Sequence, residues 1–175
     1  MNQMTNEVAK TFEDVDYSGR QFYLSDASLE KLDGIDKRLA ECVHKVSGMC
    51  SDLNIQVIEG KRTEKEHEWL WQKGATLKSG HSAHLYGYAV DLGIFIGNRL
   101  CLETEVYDEL TQGMIYAARE VGGFKLRWGG APLIDDLCSL NVTFIEDITN
   151  DYIDTCRRQD KRPMLDLHHF EIGTE

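Results

Sequence analysis

Two short stretches of this chain carry residues whose types and spacing suit metal-assisted hydrolysis. The first runs Ser82-Ala83-His84-Leu85-Tyr86-Gly87-Tyr88-Ala89-Val90-Asp91, and the second, near the C-terminus, runs Asp166-Leu167-His168-His169-Phe170-Glu171. Together they supply two imidazoles and a carboxylate as metal ligands, with Asp166 as a spare carboxylate shortly before the last histidine. Three protein ligands with an open fourth position characterise a catalytic zinc centre, whereas a structural zinc site closes all four positions. The spare carboxylate is the group a hydrolase needs to accept a proton from the attacking water. The chemistry these residues predict is zinc-dependent hydrolysis.

The chain must bring these residues together. His84 and Asp91 can converge if the segment between them leaves a loop and enters a strand, with Gly87 permitting the bend. The third ligand must come from elsewhere, and His169 lies on an apolar C-terminal segment, Leu165 to Ile172, that reads as a strand. Side chains alternate along a strand, so Asp166 and His169 fall on opposite faces unless a bulge or bend intervenes. Simple alternation groups Asp166 with His168, and His169 with Glu171. His168 therefore stays open as an alternative ligand to His169. Of the remaining histidines, His44 and His67 read as non-ligands, while His81 shares the loop of His84 and competes with it more closely.

Residues 1–24 show little periodicity and read as an N-terminal arm, leaving 25–175 as a single domain. From a cap at Ser25, apolar residues from Leu29 to Leu53 recur at helical spacing, with Gly34 and Gly48 inside that run. Ile55 to Ile58 alternates as a short strand. Thr63 to Lys73 reads as a helix with a capping box, Thr63 as N-cap and Glu66 as its partner. A strand follows near Tyr88 to Ile96, with a hairpin at Gly97-Asn98 returning through Leu100 to Leu102. Glu103 to Glu120 is amphipathic and closes at Gly122-Gly123. Phe124 to Trp128 reads as a strand, and the weakly patterned segment 131–163 contains a helix around Asp147 to Arg158. Helices separated by short strands, without regular alternation, imply an α+β fold with a small, mainly antiparallel sheet flanked by helices.

Composition narrows the function classes. At 175 residues the chain is long enough for one domain with a substantial core. A formal net charge of −11 excludes a general nucleic-acid binder, which needs a basic surface to neutralise phosphates. No stretch approaches the length of an apolar membrane span, so no membrane insertion is expected. Met1 to Asp16 has neither a basic n-region nor an apolar h-region, so a cytoplasmic protein is expected, reaching any outside target only after release. Five widely spaced cysteines without a CxxC pair predict no disulfide framework and no thiolate zinc site. Cys42 and Cys50 fall on an apolar helical face as small core residues.

The pattern S-x-H-x-x-G-x-A-x-D followed by D-x-x-H resembles that of the zinc D-alanyl-D-alanine carboxypeptidases and L-alanyl-D-glutamate peptidases, which share a fold with the hedgehog signalling domain. Gly60-Lys61-Arg62-Thr63, Leu70-Trp71-Gln72-Lys73-Gly74, Leu126-Arg127-Trp128-Gly129-Gly130 and His169-Phe170-Glu171 match further segments in the same order. This resemblance implies that His84, Asp91 and His169 bind Zn2+ and that Asp166 is the general base. It also implies that Arg62 steadies the substrate carbonyl as it becomes an oxyanion, and that Ser82 lines the substrate cleft. The chain departs from the family at His168, where Pro or Trp is usual, at His67, and at Ala131-Pro132.

The function so implied is hydrolysis of a peptidoglycan stem-peptide bond, L-alanyl-D-glutamate in the first place, by a monomer of endolysin type. Asp at the base position is commoner in the wall-lytic branch and Glu in the carboxypeptidase branch. The rivals are D,D-carboxypeptidase or dipeptidase activity within the same family, and a non-catalytic zinc-binding or phage structural module. The spare Asp166 speaks against the last.

Overall fold

A computed structural model of the chain describes residues 21–76, 81–141 and 144–173. Of the expected N-terminal arm, 1–20 lies outside the described residues, while the Phe22 amide donates to the Ser51 carbonyl at 2.7 Å. Helix α1 (Asp26–Lys31) starts where the sequence predicts, with Ser25 Oγ accepting from the Ser28 amide at 3.2 Å. The single long helix expected through Leu53 is instead two. Gly34 takes a left-handed conformation (φ +76°), and Asp36 caps a new helix, α2 (Lys37–Met49), by accepting from the Arg38 amide at 2.9 Å. The helical periodicity persists across the break because Leu32 and Ile35 enter the same core as Leu39, Val43 and Val46.

Strand β1 (Ile55–Glu59) leads to helix α3 (Glu64–Gln72), whose capping box forms as predicted: Thr63 Oγ1 accepts from the Glu66 amide, and the Glu66 carboxylate accepts from the Thr63 amide. Strand β2 (Ala89–Ile96) turns through Gly97 into the short β3 (Arg99–Leu100), followed by the long helix α4 (Thr104–Val121). Strand β4 (Lys125–Trp128), helix α5 (Ile145–Arg158) and strand β5 (His169–Gly173) complete the order. β5 begins later than the expected Leu165. Residues 166–168 form a turn instead, in which the His169 amide donates to the Asp166 carbonyl at 3.2 Å.

The sheet is antiparallel, in the order β1-β2-β5-β4, with β3 on β2. Val57, Val90, Leu92, Leu126, Trp128 and Phe170 project from one face and join α2 and α4 in a single apolar core. Strand alternation puts their neighbours Asp91, Arg127, His169 and Glu171 on the opposite face. The cysteines are all free, and burial pushes the Cys42 thiol up to about 12, as suits a packed rather than reactive residue. No helix among the described residues is long and apolar enough to cross a membrane.

Candidate metal centre and cleft

Strand register brings the first pair together. β2 and β5 align so that Asp91 lies directly opposite His169, an arrangement that places side chains about 5 Å apart at Cβ. His169 Nδ1 lies 3.0 Å from Asp91 Oδ1. His84 arrives from a 3₁₀ turn, Ala83–Tyr86, that ends at Gly87. Gly87 is left-handed (φ +72°), and a Cβ there would lie 2.1 Å from the Gly34 carbonyl oxygen, so the turn admits only glycine. His84 Nε2 then stands 3.3 Å from Asp91 Oδ1 and 3.3 Å from His169 Nδ1. Among the described residues these three side chains form the group able to share a metal, with ligand atoms all within 4.8 Å of one another.

The outer partners of the two rings decide which nitrogens face inward. His84 Nδ1 lies 2.8 Å from the Gly60 carbonyl oxygen, which can only accept, so Nδ1 carries the proton and Nε2 offers its lone pair. His169 Nε2 lies 3.2 Å from Glu171 Oε2, and Glu171 is itself held by Arg127 at 2.8 Å. When Nε2 donates to that carboxylate, Nδ1 also offers a lone pair. Two imidazole lone pairs and the Asp91 carboxylate thus converge, and acceptors so placed need a positive charge between them. Two nitrogens and one oxygen are a donor set that zinc accepts.

The electrostatics follow the same logic. Burial alone would lower the His169 pKa, but its hydrogen bonds to Asp91 and Glu171 push it up to about 9. Burial would raise Asp91, yet hydrogen bonds from His169 and His84 outweigh this and hold it well below the usual carboxylate range. Glu171 is lowered chiefly by its hydrogen bond from His169, against burial.

A cleft of about 630 Å³ opens onto this group and is lined by Arg62, Ser82, His84, Asp91, Asp166 and His169, all six residues singled out in the sequence. The turn before β5 removes the parity conflict, because Asp166 precedes the strand instead of lying on it. Asp166 is exposed, and its backbone is braced: its amide donates to the Gly129 carbonyl at 3.1 Å, and the Gly129 amide donates to the His169 carbonyl at 2.9 Å. Arg62 is largely buried, paired through two nitrogens with both oxygens of Glu59, and that contact raises its pKa. Its amide also donates to the His84 carbonyl at 3.0 Å, which ties the backbones of the two residues together.

His168 is turned elsewhere. Its Nδ1 lies 3.2 Å from the Leu92 carbonyl, and its ring meets Tyr107 edge-on at 5.0 Å. His44 and His81 are exposed, and His67 is buried away from the cleft against a separate hollow. The weakly patterned segment 131–163 supplies part of the cleft wall through Pro132 and Tyr152. The Tyr152 hydroxyl accepts from the Met164 amide at 3.2 Å and donates to its carbonyl at 3.4 Å, tying α5 to the approach to Asp166.

Four groups of the site carry no assignment from the sequence: Glu59, the Gly60 carbonyl, Arg127 and Glu171. Strand period signals Glu171, two residues from His169 and so on its face. Spacing by three residues relates Glu59 to Arg62. Nothing local signals the Gly60 carbonyl or Arg127.

Comparison with known proteins adds family and fold. A model of the phage L-alanyl-D-glutamate peptidase family matches residues 20–138. That span contains Arg62, Ser82, His84 and Asp91 but stops before Asp166 and His169. Among solved structures, the chain is similar to the crystal structure of the L-Ala D-Glu endopeptidase ChiX of Serratia marcescens. The TM-score is 0.59 at 21% identity, covering 86% of this chain and 90% of that one. At that identity the likeness is one of fold. Among curated proteins no match was found.

Proposed function

The chain belongs to the phage L-alanyl-D-glutamate peptidase family, peptidases that act on peptidoglycan, and from that premise we propose how its residues do the work. It is a zinc endopeptidase that hydrolyses the L-alanyl-D-glutamate bond of the stem peptide in the manner of an endolysin. His84, Asp91 and His169 hold the metal, Asp166 is the general base, and Arg62 and Ser82 bind the substrate at the reacting bond. The observation that carries this reading is the convergence of three acceptor atoms within 4.8 Å on the cleft that Asp166 and Arg62 also line.

When bound, zinc supplies Lewis acidity that polarises the scissile carbonyl and makes water easier to deprotonate. Asp166 takes the proton as the water oxygen bonds to the carbonyl carbon, and returns it to the D-glutamate nitrogen as the C–N bond breaks. The Arg62 guanidinium, already fixed by Glu59, faces the carbonyl oxygen and stabilises negative charge that is greatest in the transition state. Because that cation is held before substrate arrives, little reorganisation is needed during the reaction. Tyr152 and Pro132 line the same cleft and add apolar surface for the substrate to rest on.

Asp166→Asn tests the base directly. The variant should keep one zinc per chain and lose about 10²–10⁴-fold in hydrolysis rate, measured on purified peptidoglycan. Full zinc content with wild-type activity would remove Asp166 from the mechanism.

A further inference from the structure

The metal site has an outer layer on one side that nothing in its ligand set requires. We infer that Glu171, itself held by Arg127, is a positioning residue that sets the tautomer of His169 and so turns Nδ1 toward the metal. This rests on the assignment of His169 as a ligand.

The geometry is specific. Glu171 follows His169 by two residues on β5, so both side chains leave the same face. β4 pairs with β5 so that Arg127 lies directly opposite Glu171. The two carboxylate oxygens are divided between the neighbours. Oε1 accepts from Arg127 at 2.8 Å, and Oε2 faces His169 Nε2 at 3.2 Å. Arg127 is anchored in turn, donating through its other terminal nitrogen to the Pro132 carbonyl at 3.2 Å. The side chains of His169 and Glu171 are only 23% and 22% exposed, so water competes weakly for the bond between them.

The need for such a group follows from the other contact of the same ring. A neutral imidazole carries one proton, on either nitrogen. With the proton on Nδ1, His169 donates to Asp91 across 3.0 Å and has no lone pair to give the metal. With the proton on Nε2, it donates to Glu171 and the metal-facing nitrogen is free. The Glu171 carboxylate favours the second arrangement, in competition with Asp91 for the same proton. A carboxylate behind a ligating histidine orients the ring and raises its basicity, and its loss commonly costs 10–100-fold in metal affinity. His84 needs no such side chain, because the Gly60 carbonyl fixes its tautomer.

The experiment is zinc affinity of the whole chain, measured by competition with a chromophoric chelator, alongside thermal melts of the metal-free proteins. Glu171→Gln keeps the size of the side chain and removes its charge. It should weaken zinc binding by about 10–100-fold with little change in the metal-free melt. Arg127→Gln should weaken binding by several-fold, and the double variant should bind about as Glu171→Gln does, because Arg127 acts through Glu171. Wild-type affinity in Glu171→Gln, while His169→Ala loses binding, overturns the inference alone. Strictly additive effects of the two substitutions remove Arg127 from it. If His169→Ala binds zinc as the wild type does, the ligand assignment itself fails and this inference falls with it.

Discussion

The two histidines of the candidate metal site are held by different kinds of structure. His84 sits in a tight turn, nearly inaccessible, with its outer nitrogen on a backbone carbonyl. His169 sits on a strand, partly accessible, with its outer nitrogen on a side chain that is itself supported by another side chain. Backbone positioning depends on close packing and so on glycine. Side-chain positioning depends on charge and leaves the fold less committed. Substitutions behind the two rings should therefore fail in opposite ways, one in stability and the other in metal affinity.

The largest effect is expected behind His84. A Cβ on Gly60 would lie 1.9 Å from the Lys31 carbonyl oxygen, a distance that only movement of α1 or of the end of β1 can relieve. Gly60→Ala should destabilise the protein by about 3 kcal/mol, a fall in Tm of roughly 6–12 °C, and weaken zinc binding as the Gly60 carbonyl shifts. A melt within about 2 °C of wild type would show that this anchor is not rigid. Glu171→Gln is the counterpart: a metal-affinity loss in a protein that melts normally.

The smallest effect concerns how α5 joins the body of the protein. Asp108 on α4 is raised to about 6, first by burial and then by the carboxylates of Glu146 and Glu105. A raised carboxyl binds more protons in the folded state, so its stabilising contribution is complete below about pH 4 and lost as pH rises through 6. Asp108→Asn should therefore raise stability at pH 7 by about 1 kcal/mol, the shift being discounted for partial exposure, and the gain should vanish near pH 4. Melts of both proteins across that range check it. An Asn variant that is no more stable at pH 7 would mean that Asp108 and Glu146 do not strain the junction of α4 and α5.

The same contrast separates what the sequence discloses from what it hides. His84 and Asp91 are legible because their spacing, and the glycine between them, express a local bend. The apolar core is legible in the periodicity of α2 and α4 and in the alternation of β2. The break between α1 and α2 is not, because both helices face one core and their apolar pattern runs on unbroken. The choice between His168 and His169 is undecidable by strand parity, since parity assumes that Asp166 belongs to the strand, and the structure puts it in a turn. Arg127 becomes relevant only through the pairing of β4 with β5, across 44 residues of sequence. The wall built by α5 is hidden for a similar reason: Tyr152 acts on Met164 across a loop without a regular pattern.

The central claim is the bond that is cut. Intact peptidoglycan digested with the zinc-loaded protein, and analysed by mass spectrometry, reads it without further assumptions. Cleavage of the L-alanyl-D-glutamate bond yields stem peptides with a new D-glutamate amino terminus and glycan fragments that keep L-alanine, with both products lost when a chelator removes the metal. Release of free D-alanine alone would contradict it, and so would the same D-glutamate termini from protein stripped of metal.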